Sequence, residues 1–227
     1  MTDTQRHREP GHTERVHTEQ GHTEQRRPEQ GRPEQLHPPQ RRSGLHHDAV
    51  AVVTAWTPLD ETGRANRQRF LDLLATQPGA TMADNPGAHI TASAVVVAAG
   101  LDQVLLCLHG RMNKWVQLGG HCEPVDASVA DAAMREALEE SGIEGLALAP
   151  VPIDLDIHPV NCRHGQSLHY DIRFALLAPV DAVATVSAES TRLGWFAPDA
   201  LPEPLASATQ RLVAPAIRAT RALIRQS

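Results

Sequence analysis

Gly119-Gly120-His121-Cys122-Glu123-Pro124-Val125-Asp126 leads, after a short alanine-rich interval, into Arg135-Glu136-Ala137-Leu138-Glu139-Glu140-Ser141-Gly142-Ile143. The order reads as a glycine loop feeding a helix. Asp126 or Ser128 can cap its start, because a short oxygen side chain accepts the free N–H groups of a first turn. Gly142 stands where the helix should stop, since glycine takes the left-handed conformation at little cost. The run between them holds neither proline nor glycine, which favours helix. At about 100° per residue, Ala130, Ala133, Met134, Ala137 and Ser141 make a small, mostly apolar stripe that lets the backbone sit close to a sheet. Glu136, Glu139 and Glu140 fall at i, i+3 and i+4 on a different face, where their repulsion costs about 0.2–0.5 kcal/mol per pair. Such a trio is either a solvated acidic face or a set of hard oxygen ligands suited to Mg²⁺ together with substrate phosphates.

The surroundings favour ligands. The stretch resembles the signature of the Nudix hydrolases, in which a glycine is followed by five residues, a glutamate, seven residues and then Arg-Glu-aliphatic-x-Glu-Glu-x-Gly-aliphatic. The second half is present as Arg135 to Ile143, with Ala137 smaller than the usual aliphatic. The first half departs: five residues lead from Gly120 to Asp126 rather than to Glu, and eight separate Asp126 from Arg135. The extra residue falls at the junction of loop and helix and leaves the glutamate spacing intact, while the role of Asp126 stays open. The resemblance implies an α/β fold, an α/β/α sandwich with a mixed sheet between helices. It implies water attack on a phosphorus atom of a nucleoside diphosphate linked to another group, assisted by Mg²⁺ or Mn²⁺. Carried over, Glu136, Glu139 and Glu140 resemble the metal ligands, joined by the carbonyl of Gly119. Glu136 also counts among the catalytic residues, and Arg135 orients a glutamate by a charge-assisted pair. Divalent ions suit such chemistry because they neutralise and position an anionic diphosphate.

Composition bounds the rest. The chain has 227 residues, a formal charge of -6, 3% aromatics and three cysteines. The negative charge argues against generic nucleic-acid binding. Cys107, Cys122 and Cys162 form no Cys-x-x-Cys pair, which fits a reducing compartment. No apolar run reaches the roughly 18 residues that span a bilayer, and the start lacks the apolar core of a signal peptide. A cytoplasmic protein without membrane association is expected.

Residues 1–44 carry a five-residue repeat from Gly11 onward, as in Gly-His-Thr-Glu-Gln. That period fits neither helix nor strand, and almost nothing in it can be buried, so a disordered tail is expected. Its histidines invite a metal reading. The plainer one is an expanded repeat. Residues 45–80 should form a helical extension, with helices over Asp48–Trp56, capped by Asp48, and over Arg64–Thr76. The extension packs structurally on the flank or serves substrate or dimer contacts, and a homodimer is one expectation.

Residues 88–226 then form the Nudix domain. His89–Ala98 and Gln103–Leu108 read as a strand hairpin, with Cys107 a small buried hydrophobe. Lys114–Leu118 is a short strand delivering the chain to Gly119. Arg111 and Lys114 are placed to meet substrate phosphates or simply to face solvent. Gly145–Ala149 and Ile153–Ile157 read as strands. In Ser167–Ala178, Leu168, Tyr170, Ile172 and Phe174 face one way, and His169, Asp171 and Arg173 the other, toward a substrate cleft or toward water. Zinc is not expected. His121 and Cys122 lack further ligands nearby, and the run His158, Cys162, His164, His169 matches no zinc spacing. Glu123 is a second-rank outer ligand. Glu189 precedes the last strand, Arg192–Phe196, where many Nudix enzymes place an additional glutamate as metal ligand or general base. Leu205–Ile224 closes the fold as a helix that Pro215 should kink or break.

Two other functions compete with the hydrolase. A non-catalytic nucleotide-binding module on this fold typically loses a box carboxylate, whereas all three are present here. An isoprenyl diphosphate isomerase on the same fold uses a cysteine with a glutamate, and neither Cys107 nor Cys122 matches well. The box leaves the group on either side of the diphosphate open.

Overall fold

A computed structural model of the protein describes residues 38–162, 165–185 and 192–226, with residues 38–42 and 162 as backbone alone. Most of the repeat tail, His164 and Glu189 therefore lie outside the described residues. The order of elements is α1 (Pro38–Ala55), α2 (Glu61–Thr76), β1 (Ala88–Val97), β2 (Val104–His109), β3 (Lys114–Val116), β4 (Leu118–His121), α3 (Val129–Ser141), β5 (Ala147–Cys162), β6 (Gly165–Leu177), β7 (Arg192–Phe196) and α4 (Ser207–Ile224).

The sheet is mixed. Its main path runs β3-β2-β1-β6-β5, with β4 paired to β1 and β7 to β2. β1 lies parallel to β6 and antiparallel to β2 and β4, and every one of its residues is buried. Alternation along the strand divides its side chains between two faces. Ile90, Ala92, Ala94 and Val96 join a core with Ala132, Ala133 and Ala137 of α3 and with Leu45, Ala49, Val53, Phe70, Leu73 and Leu74 of α1 and α2. Val95 and Val97 join a second core with Leu212, Val213 and Ala216 of α4. Helices thus cover both faces, which is the expected α/β/α sandwich. Tyr170, Ile172 and Phe174 of β6 face the α3 side as the alternation requires.

Several local expectations change. The first helix starts at Pro38 rather than Asp48, so residues 38–44, assigned to the tail, are helical. Asp48 does not cap its own helix. Its Oδ2 accepts the Val129 N–H at 2.7 Å and so satisfies a free donor at the start of α3 from outside. The N-cap of α2 is Asp60, which accepts the Gly63 N–H, so this helix starts earlier, at Glu61. Lys114–Leu118 is two strands, β3 pairing with β2 and β4 with β1. The two strands expected between 145 and 157 are one, β5, interrupted by a register shift between Ala149 and Asp154. α4 runs through Pro215 without a break. Its Arg211, Arg218, Arg221 and Arg225 are exposed, as the helical pattern implies. Cys107 and Cys122 are both buried, and the Cys107 thiol lies 3.9 Å from the Gln117 carbonyl. No described helix is long and apolar enough to cross a membrane.

Candidate active site

α3 forms where its sequence says it should. Ser128, not Asp126, is its N-cap and accepts the Asp131 N–H at 3.0 Å; Gly142 ends it at φ 66°. Val129, Ala132, Ala133, Ala137 and Ser141 are buried against the sheet, so Glu136, Glu139 and Glu140 are left along the flank that meets β4.

Arg135 organises that flank. Its Nε and Nη2 bond both oxygens of Asp126, at 2.9 and 3.0 Å. Nη1 reaches Glu136 and Glu139, each at 3.0 Å, and Nη2 also donates to the carbonyl of His121 at 2.8 Å. The bond to Asp126, above all, holds the guanidinium pKa above its ordinary value. Asp126 is 5% exposed and also accepts the Glu123 N–H at 2.7 Å. The residue that departs from the family spacing is therefore the buried anchor of Arg135, and the bidentate geometry fixes the angle of the guanidinium. Sequence spacing alone did not assign it that role. Glu123 has an exposed side chain and contributes its N–H.

Glu140 meets the glycine loop directly, its Oε2 accepting the Gly119 N–H at 3.0 Å. Gly119 has φ +150°, and a Cβ there would overlap Ser93 and approach the Ala92 carbonyl oxygen to 2.7 Å. Only glycine fits. At Gly120 a Cβ would lie 2.7 Å from Glu136 Oε2. That carboxylate is the far end of a flexible chain, so it can swing away. Gly120→Ala is expected to fold with a loss of about 1 kcal/mol. Its kcat should fall at least about tenfold, because Glu136 is displaced. Melting curves beside initial rates test this, and an unchanged kcat would mean that the placement of Glu136 is immaterial.

Five expected residues are thus brought together: Gly119, Arg135, Glu136, Glu139 and Glu140. Arg111 and Lys114 are carried, exposed, at the β2–β3 hairpin, and no described contact links them to the acids. Among the described residues, two clefts have no α3 residue in their lining. One, of about 410 Å³, is lined by Trp56, Leu59, Pro152 and Pro215 among others; the second, of about 300 Å³, by Leu105, Ala182, Leu193 and Trp195. The chemistry of the donor set, three carboxylates and a glycine loop, is that of a hard divalent cation rather than of an enclosed apolar pocket.

A family description, NUDIX domain, matches residues 87–216, more than half of the chain. The chain belongs to the Nudix family. As a Nudix hydrolase it acts on pyrophosphate bonds. Solved structures similar to this Nudix chain include a NUDIX-family hydrolase from Clostridium perfringens, with TM-score 0.47 and 23% identity over 60% of this chain and 97% of that one. Others are a MutT NUDIX hydrolase from Burkholderia pseudomallei (TM-score 0.40, 24% identity, 56% and 95% covered) and a C. elegans Ap4A hydrolase (TM-score 0.39, 17% identity, 61% and 98% covered).

The opposite face of the sheet holds groups that the sequence did not bring together. Arg173 is 2% exposed and bonds Asp171 through Nε at 2.8 Å, Asp154 through Nη1 at 3.1 Å and Asp156 through Nη2 at 2.9 Å. Thr91, Ser93 and Gln117 also donate to Asp171. Asp171 and Arg173 are thus neither cleft-lining nor solvated, but a buried ion network. Beyond it His89, His121, His158 and His169 cluster. Burial lowers His89 to about 4 and His169 to about 3, helped by their neighbouring imidazoles. Each is neutral in the fold and protonates more readily in the unfolded chain, so stability is complete above about pH 6.5 and falls as pH drops from there toward 4. For His89, 1% exposed, the loss between pH 7 and 5 is about 2 kcal/mol. Urea melts in EDTA at the two pH values should show it, and His169→Gln should be less acid-sensitive; equal acid sensitivity of the two proteins would refute the assignment.

Proposed function

We propose that this chain is a Mg²⁺- or Mn²⁺-dependent pyrophosphohydrolase that cleaves a nucleoside diphosphate linked to a second group. The observation that carries the reading is the convergence of Glu136, Glu139 and Glu140 with the Gly119 loop around Arg135. Glu136, Glu139, Glu140 and the Gly119 carbonyl would hold the ion. When bound, such an ion supplies charge neutralisation for the diphosphate and acidifies water.

The protein's own groups do the rest. Asp126 locks Arg135, and Arg135 in turn holds the carboxylates of Glu136 and Glu139 against their repulsion. The Gly119 N–H fixes Glu140. Arg111 and Lys114 would meet substrate phosphates from the β2–β3 hairpin. Glu189 would take the proton of the attacking water as the new oxygen–phosphorus bond forms and the bridging oxygen–phosphorus bond breaks, the departing phosphate leaving with that electron pair. Glu189→Gln is then expected to lower kcat by roughly 10²-fold or more, with substrate KM little changed; an unaltered kcat removes Glu189 from that role. The division into a helical extension, 45–80, and a catalytic domain, 88–226, belongs to the same proposal and is supported by the family match over 87–216.

The test is a screen of purified full-length protein against nucleoside diphosphate compounds, including dinucleoside polyphosphates, nucleoside triphosphates and ADP-ribose-like sugars, with Mg²⁺ and with Mn²⁺. Release of nucleotide or phosphate identifies the substrate class. Tight nucleotide binding with no cleavage under any condition would instead support a binding module.

A further inference from the structure

We propose that His89, His121 and His169 form a second metal site, on the sheet face opposite the acidic helix, that takes a transition-metal ion of the Zn²⁺ class. The three residues come from β1, β4 and β6. His89 and His169 are direct neighbours across the parallel β1–β6 pair. His121 pairs with Thr91, two residues along β1 on the same face. One nitrogen from each ring can be chosen so that all three lie within 4.8 Å of one another. The rings sit centroid to centroid at 5.0 Å for His89 and His121, 4.8 Å for His89 and His169, and 5.1 Å for His121 and His169.

A second observation points to a ligand. His89 is 1% exposed, and its Nε2 has no hydrogen-bond partner, whereas its Nδ1 lies 3.5 Å from Ser167 Oγ. A buried polar atom without a partner is rare and costly. The Ser167 hydroxyl and the Asn85 backbone are the polar groups beside the ring, and a metal-ligating imidazole commonly keeps such a partner on its other nitrogen. Zn–N bonds of about 2.0–2.1 Å at tetrahedral angles need nitrogens roughly 3.4 Å apart. A bound ion would therefore draw the three nitrogens closer than the 4.8 Å within which they now lie. Three imidazoles leave one coordination position open, and the ring of His158, held by Asp156 at 3.0 Å, stands 5.5 Å from that of His169. Nitrogen donors of this kind select Zn²⁺, Co²⁺, Ni²⁺ or Cu²⁺ over Mg²⁺, so the two sites would hold different ions. Because Arg135 bonds the carbonyl of His121, an ion here would also brace the loop that carries Gly119.

The test uses metal-stripped full-length protein, titrated with Zn²⁺ and with Co²⁺ in excess Mg²⁺. Wild type is expected to bind one Zn²⁺ tightly per chain and to give the intense visible absorption of four-coordinate Co²⁺. His169→Gln and His121→Gln, whose side chains are only partly buried, should lower that affinity roughly 100-fold and lose the Co²⁺ band. His89→Asn should do the same wherever it folds. Glu140→Gln should keep both. The repeat histidines of residues 1–37 are common to all these proteins, so only differences between them count. Equal affinity in wild type and the histidine variants, loss of the ion in Glu140→Gln, or a six-coordinate Co²⁺ spectrum would each overturn the proposal.

Discussion

Glu140→Gln is expected to reduce kcat by about 10²–10³-fold while the melting temperature stays within a few degrees of wild type. The amide is isosteric with the carboxylate, and its carbonyl oxygen can still accept the Gly119 N–H that Glu140 Oε2 accepts at 3.0 Å. What it removes is a negative charge from the helix face on which Glu136 and Glu139, with Asp126, already share the guanidinium of Arg135. Loss of charge weakens a divalent cation's hold on the site. A Lewis-acid ion is worth several kcal/mol to a phosphoryl reaction, and each 1.4 kcal/mol is a factor of ten in rate. Initial rates at saturating substrate, with Mg²⁺ titrated, make the measurement. If the charge is the cause, part of the loss should be recovered at high Mg²⁺. A variant as fast as wild type would show that this acid does not take part, and the assignment of the helix face would fall with it.

Arg173→Met should destabilise the fold by about 3–5 kcal/mol, because removing one partner of a buried ion network leaves the others charged and desolvated. Arg173 and Asp171 have side chains only 3% and 5% exposed, so water cannot replace the lost bonds. For a chain of this size the loss corresponds to a fall in melting temperature of roughly 6–20 °C. The contrast is Arg64 with Glu61, 57% and 85% exposed, a pair of the kind that contributes little. Thermal denaturation of Arg173→Met beside wild type decides it. A shift of less than a degree or two would mean that the network contributes no more than a surface pair does. Methionine keeps much of the arginine stem's volume, so a large shift would report the charge rather than a cavity.

The acidic face of α3 was legible because helical periodicity is local. Glu136, Glu139 and Glu140 share a face wherever that helix is placed, and Gly142 ends it through its own conformational freedom. The alternation of Leu168, Tyr170, Ile172 and Phe174 was legible for the same reason, and so was the sandwich that the Nudix resemblance implied. The start of α1 lies earlier than the pattern implies: Asp48 looks like a cap in sequence, yet it sits inside α1 and accepts the N–H of Val129, 81 residues away at the start of α3. Asp126 read as an imperfect copy of a family glutamate, and only the fold of the loop shows it locking Arg135.

Partners across the sheet were decided by tertiary structure alone. His89 and His169 are neighbours because β1 and β6 run side by side after a long crossover. Arg173 meets Asp154 and Asp156 because β5 returns along β6 past a register shift. A zinc reading that searched for ligands near His121 in sequence was bound to find none, since the candidate partners lie on other strands. A single chain determines which residues share a helix face or a strand face, since that follows from the backbone repeat. Which strand lies beside which depends on the global packing of apolar faces, and no local pattern encodes it.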